Sequence, residues 1–117
     1  MNLTGNWKYS EDFGAGNSVG EVVLLQKDEM LYAEFNFVEQ IDGDYRIEVF
    51  EKLQGEIKEN KVLLESIEVI ARNSEGEIKY MPNSFDVHIV SENKLVGSSF
   101  DADNVCGVFT MGRILSV

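Results

Sequence analysis

The residues best suited to chemistry in this chain are a single histidine and a single cysteine. His88 follows Asp86 by two positions, and a carboxylate at that spacing could orient an imidazole that acts as a general base. The same spacing is common on the solvated face of a strand, and we favour that interpretation. Cys106 has no basic neighbour in the sequence that would activate its thiol. We therefore predict no catalytic residue and expect a protein that is not an enzyme.

An aspartate-rich segment, Asp101-Ala102-Asp103-Asn104, is similar to the opening of a calcium-binding loop. Such a loop requires glycine at its sixth position and a bidentate glutamate at its twelfth, where this chain has Cys106 and Gly112. A lone cysteine also excludes zinc sites built on paired cysteines. The segment is therefore interpreted as a polar turn, and we predict no metal site and no cofactor.

Another possibility is an apolar binding surface, because apolar residues recur at every second position along most of the chain. Phe35 and Phe37, for example, alternate with Glu34 and Asn36. Successive side chains of a strand point to opposite faces, so each such segment has one buried face. A filled core and a ligand cavity would both use these residues. The candidate ligand-binding residues are Phe35, Phe37, Tyr45, Ile47, Val87, Phe109 and Met111.

The elements that must position these side chains are strands joined by short polar turns, and helix signals are nearly absent. Sequential hairpins predict an antiparallel up-and-down meander, and closure into a small barrel of about eight strands would remove its exposed edges. Pro82 is expected to break the sixth segment, and the length predicts one domain, residues 1–117. The predicted strands are Leu3–Ser10, Val19–Lys27, Leu31–Gln40, Tyr45–Lys58, Lys61–Ala71, Glu77–Val90, Lys94–Phe100 and Val105–Ile114.

The charge balance limits the possible partners. Twenty-one acidic and ten basic side chains give a formal net charge of −11. Nucleic acids and anionic membrane surfaces are bound by clustered lysine and arginine, so we expect neither as a partner. The single thiol and the lack of an apolar leader favour a cytoplasmic location, whereas a removed leader would indicate secretion.

The two ends of the chain carry a family resemblance. The N-terminal segment reads Leu3-Thr4-Gly5-Asn6-Trp7, and the last predicted strand ends in Met111-Gly112-Arg113. A Gly-x-Trp start with an arginine on the final strand resembles the lipocalins and the wider calycin barrels. The resemblance implies that Gly5, Trp7 and Arg113 close one end of the barrel, with the arginine across the indole ring. The start also resembles avidin-type barrels, but the single tryptophan gives little support for biotin binding.

Two functions follow from these resemblances. A calycin-like barrel would bind a small hydrophobic molecule in its interior, and this is the function that we favour. Alternatively, the chain resembles the staphostatins, small lipocalin-like barrels that inhibit cysteine proteases by presenting an extended loop. In this chain the residues of such a loop would be Gly97, Ser98, Ser99, Asp101 and Asp103. The sequence leaves the oligomeric state and the ligand open.

Overall fold

The computed structural model describes residues 1–43, 46–104 and 106–115. Across these residues no helix is long and apolar enough to cross a membrane. The described part of the chain forms nine strands: β1 (Gly5–Asp12), β2 (Gly16–Lys27), β3 (Met30–Ile41), β4 (Arg46–Lys58), β5 (Lys61–Asn73), β6 (Gly76–Ile78), β7 (Asn83–Ser91), β8 (Lys94–Asp101) and β9 (Cys106–Arg113).

The strands follow from the alternation of apolar and polar residues. In β3, Leu31, Ala33, Phe35 and Phe37 are buried while the intervening side chains are exposed. This two-residue period matches the pleat of a strand and places the apolar side chains on one face of the sheet. These apolar side chains form part of the core inside the sheet.

Antiparallel pairing of successive strands produces a closed barrel. Eight strands form the ring in the order β1, β2, β3, β4, β5, β7, β8 and β9, and β9 pairs with β1 to complete it. The short β6 pairs only with the end of β5, through Ala71, Arg72 and Asn73. The predicted all-β, up-and-down, eight-stranded barrel is therefore confirmed, with one additional strand.

Two local features differ from a regular meander. The predicted sixth strand, Glu77–Val90, is divided into β6 and β7, and Pro82 lies between them. A register shift in the β4–β5 pairing leaves Ile67 without a partner, which makes it a bulge residue. At Gly55 a Cβ would collide with the backbone of Leu63, so β4 and β5 approach each other closely there.

Trp7 and Arg113 lie together at one end of the barrel. The Trp7 side chain is fully buried and donates a hydrogen bond from Nε1 to the Leu3 carbonyl, at 3.0 Å. The Arg113 guanidinium carbon lies 4.7 Å from the centroid of the Trp7 ring. Its two terminal nitrogens donate to the carbonyls of Thr4 and Asn2, each at 2.8 Å. The arginine thus joins the last strand to the segment that precedes the first.

Gly5 makes this arrangement possible. Its φ of +149° lies in a region that side-chain-bearing residues rarely adopt, and a Cβ there would lie 3.0 Å from Arg113 Nη1. Gln26 also secures the segment, because its backbone N–H donates to Thr4 Oγ1 and its side chain accepts from the Leu3 N–H. This end of the barrel is closed.

The middle of the barrel is filled with aromatic rings. Phe35 and Phe85 stack with centroids 4.5 Å apart, and Tyr9 meets the edge or face of Phe35, Phe37, Phe85 and Phe109. Such aromatic pairs add stabilisation beyond the burial of their area. The interior below Tyr9 is consequently a packed core.

We predict that Trp7 and Arg113 stabilise the fold cooperatively. In a double-mutant cycle of Trp7→Phe and Arg113→Met, measured by urea denaturation, the coupling should be about 0.5 kcal/mol or more, because the guanidinium lies on the indole face. Additive effects of the two substitutions would contradict a shared role in closing the barrel.

We also predict that Phe35→Ala lowers the free energy of unfolding by about 3–5 kcal/mol, since it opens a cavity in the aromatic core. Glu34→Ala, next to it on the outer face, should change the stability by less than about 0.5 kcal/mol. Equal losses for the two variants, measured by chemical denaturation, would show that the inward face has been wrongly identified.

Candidate functional site

The end of the barrel opposite Trp7 is open and polar. Its rim is formed by the ends of β1, β3 and β8, by the starts of β2 and β9, and by the segment between β6 and β7. A cavity of about 290 Å³ lies inside this rim, which we call the mouth. The cavity is lined by Glu11, Phe13, Ala15, Ser18, Phe37, Glu39, Ile41, Tyr80, Met81, Asn83, Ser99, Asp101 and Cys106.

Glu11 is the most deeply placed carboxylate on the cavity wall. It follows Trp7 and Tyr9 on the inward face of β1 and is only 8% exposed. Its two oxygens accept hydrogen bonds from the hydroxyls of Tyr9 and Ser99. Burial raises the pKa of the Glu11 carboxyl above its ordinary value, and the charge of Glu39 raises it further, although the two hydrogen bonds oppose the shift.

Glu51 is a second buried carboxylate, located behind the mouth on β4. Asn83 donates to it twice, from its backbone N–H to Oε2 and from its side chain to Oε1, both at 2.9 Å. Ser66 supplies a further hydrogen bond. Burial raises the pKa of Glu51, and the charge of Glu11 adds to that effect. The Glu51 side chain therefore links the start of β7 to β4, above the point where the β5–β7 pairing ends at Glu65 and Ser84.

The segment between β6 and β7 lies at one side of the mouth. Tyr80 donates a hydrogen bond from its hydroxyl to Glu39 Oε1 at 2.6 Å, which ties this segment to β3. Burial and the adjacent Glu39 carboxylate raise the pKa of Tyr80, so the phenol keeps its proton at neutral pH. Met81, the next residue, is 40% exposed and adds an apolar surface to the cavity.

The predicted ligand-binding residues occupy two different environments. Phe37 lines the mouth, whereas Phe35, Ile47, Val87, Phe109 and Met111 are buried in the packed core. Tyr45 lies outside the described residues. Among the described residues, the interior is thus packed below Tyr9, and the cavity lies at the mouth.

The residues predicted to form an inhibitory loop do not form one. Gly97, Ser98 and Ser99 lie in β8, which is paired with β7 on one side and β9 on the other. The expectation that they belong to an exposed loop is wrong, because both edges of that strand are occupied. Asp101 lies at the end of β8 and lines the mouth, while Asp103 is exposed in the following turn.

The other chemically interesting residues lie elsewhere or remain at the surface. His88 Nε2 is 3.9 Å from Asp86 Oδ1, and both side chains are about half exposed on the outer face. Cys106 is exposed at the rim. Among the described residues, no three His, Cys, Asp or Glu side chains converge in a way that could hold a metal ion.

Sequence reasoning missed Glu11 and Glu51, and their position in the alternating pattern was the available signal. Glu11 continues the inward series of Trp7 and Tyr9, and Glu51 lies between Val49 and Leu53. A carboxylate on the buried face of a strand is uncommon unless it has hydrogen-bonding partners. The amino-acid composition does not distinguish these two buried carboxylates from the acidic residues on the surface.

A larger depression lies on the outer surface of β2 to β5. Its volume is about 390 Å³, and Val19, Val38, Phe50 and Ile70 contribute apolar side chains to it. These residues stand on the solvent side of the sheet, and Val19 is 54% exposed. The mouth is the better candidate site because it is more enclosed than this depression and contains fixed hydrogen-bonding groups.

No protein-family model matches the chain, and no curated protein matches it. Similar solved structures are redesigned β-barrels. One, mFAP1 bound to DFHBI, has a TM-score of 0.64 at 14% identity, covering 95% of this chain and 94% of that one. Another, mFAP0 bound to DFHBI, has a TM-score of 0.63 at 13% identity, with 95% and 98% covered.

A third similar structure is a fluorescence-activating β-barrel that was designed de novo. Its TM-score is 0.61 at 12% identity, with 95% of this chain and 93% of that chain covered. At these identities the likeness concerns the fold alone. The chain therefore shares the architecture of small closed β-barrels.

The buried carboxylates make the stability depend on pH. Because the pKa of Glu11 is raised above 4.5 in the folded protein, folded molecules retain a proton that unfolded chains release above that pH. Stability linked to Glu11 is therefore fully present below about pH 4.5 and is lost as the pH rises through the folded pKa.

Urea denaturation between pH 4.5 and 8.5 should show a shallower loss of stability for Glu11→Gln than for the wild type. The matched control is Glu21→Gln, which removes the same charge from an exposed position on β2 and should keep the wild-type slope. Parallel curves of stability against pH for the wild type and Glu11→Gln would contradict a raised pKa at Glu11.

Proposed function

We propose that this protein is a binding module whose mouth accepts a small, largely apolar molecule. The observation that supports this proposal is the partly enclosed cavity of about 290 Å³, which combines apolar walls with buried hydrogen-bonding groups. Ligand pockets in proteins are concave and mostly apolar, with a few fixed polar groups that orient the ligand. The mouth has this composition.

The filled core sets the depth to which a ligand can enter. Phe37 forms the aromatic floor of the mouth, and its ring contacts the buried ring of Tyr9, with centroids 5.6 Å apart. Phe13, Ile41 and Met81 supply apolar surface around the opening. A ligand would thus lie on the aromatic floor rather than along the barrel axis, which favours a compact molecule over a long acyl chain.

The polar groups of the mouth are held in place before any ligand arrives. Glu11 is fixed by Tyr9 and Ser99, and Glu39 by Tyr80. Groups that are already oriented lose little conformational freedom on binding, and this favours affinity. The arrangement supports a role in binding.

The experiment uses the neutral, environment-sensitive dye PRODAN and a variant that fills the opening. Ala15 is exposed at the rim, so Ala15→Trp should obstruct the mouth without entering the core. We expect the wild type to bind the dye saturably with a blue-shifted emission, and the variant to bind it at least tenfold more weakly.

Val108→Trp is the matched control, because Val108 is 66% exposed on the outer face of β9. It should bind PRODAN like the wild type, and circular dichroism melting should show that both variants are folded. Absence of binding to the wild type, or equal binding by the two variants, would refute a ligand site in the mouth.

A further inference from the structure

The described ionisable side chains that line the mouth include acidic groups and no basic ones. Three carboxylates, Glu11, Glu39 and Asp101, line it from β1, β3 and β8, and the described lining residues include no lysine, arginine or histidine. We infer that the ligand of the mouth is a small organic cation, a protonated amine attached to a compact apolar body. This inference rests on the proposed function and specifies its ligand class.

The carboxylates surround the cavity at different depths. Glu11 lies deep on the wall at 8% exposure, while Glu39 and Asp101 are partly exposed nearer the rim. The charges of Glu39 and Asp101 add inside the cavity, where the surrounding protein screens them less than water does, and a bound cation would favour the ionised form of Glu11 as well. An anionic ligand would be repelled there and a neutral one would gain nothing from the charge, so a cation is the favoured occupant.

A cation would also relieve repulsion that is already present. Glu11 is destabilised in its ionised form by the charge of Glu39, and Glu51 by that of Glu11. An ammonium group between β1 and β3 would interact favourably with the carboxylates on both strands. The cluster of acidic groups around a cavity is thus electrostatically complementary to a positive ligand.

The rings of the mouth favour an organic cation over a metal ion. Phe13, Phe37 and Tyr80 present aromatic side chains to the same cavity as the carboxylates. Aromatic faces attract ammonium groups by cation–π interaction, and they also pack against the apolar body of an amine. Calcium, in contrast, requires six to eight converging oxygens. The net charge of −11 adds long-range attraction for any cation that approaches.

The test compares three probes that share a phenyl ring on a short alkyl chain: phenethylamine, 2-phenylethanol and 3-phenylpropionate. Binding is measured by calorimetry and ligand-observed NMR at pH 7 in low salt. We expect phenethylamine to bind at least tenfold more tightly than 2-phenylethanol, and 3-phenylpropionate to bind most weakly. Raising the salt concentration should weaken only the binding of the amine.

Glu39→Gln tests whether the charge at the mouth itself is responsible. It removes one negative charge there, while the glutamine oxygen can still accept the Tyr80 hydrogen bond. This variant should lose at least threefold in affinity for phenethylamine and none for 2-phenylethanol. Glu21→Gln, which removes one charge from the outer face of β2, is the control and should bind the amine as the wild type does.

The outcomes separate the two proposals. Equal affinity for the amine and the alcohol, both lost in Ala15→Trp, would overturn the cation inference and leave the ligand site standing. Equal loss in Glu39→Gln and Glu21→Gln would overturn it as well, since the effect would then reflect net charge alone. If none of the three probes binds and PRODAN also fails, both proposals are refuted.

Discussion

The antiparallel pairing of β1 with β9 converts a meander of hairpins into a closed barrel, and the interior exists only because of it. Trp7 pairs with Arg113 in that register, and the guanidinium then lies on the indole ring and binds the carbonyls that precede β1. Arg113 also donates from Nε to the Glu92 carbonyl, which connects the turn between β7 and β8 to the same end. One side chain thus ties three parts of the chain together and closes the barrel opposite the mouth.

The two halves of the barrel have different physical characters. The lower half is apolar and packed around Phe35 and Phe85, as expected of a core that stabilises the fold. The upper half contains buried carboxylates whose dehydration is unfavourable, and their hydrogen bonds from Tyr9, Ser99 and Asn83 offset only part of that cost. Apolar residues at Glu11 and Glu51 would be compatible with the strand pattern. As carboxylates, Glu11 lines the mouth and Glu51 joins the start of β7 to β4.

Much of the fold could be predicted from the sequence because strand alternation is a local property. The period of two identifies the strands and their inward faces, and Pro82 indicates the break before β7. The polar network could not be predicted in the same way, since its partners come from distant segments: Ser99 is 88 positions from Glu11. The Ile67 bulge also escapes sequence reasoning, because an extra residue is defined only relative to the strand that it faces. Gly97 and Ser99 are mistaken for loop residues because small residues are typical of loops. In β8 they instead allow close packing, since a Cβ at Gly97 would collide with the Asp86 carbonyl of β7.

The β1–β9 pairing also has a consequence for the folding pathway. Most other contacts in the ring form between strands adjacent in the sequence, whereas Arg113 contacts Thr4 across 109 positions. Closing so long a loop costs conformational entropy, and this cost must be overcome before the pairing contributes any stability. Proteins rich in such long-range contacts fold slowly. Until closure, the meander exposes the edges of β1 and β9, which are templates for pairing with other chains. The net charge of −11 would make such open chains repel one another, which opposes pairing between their exposed edges.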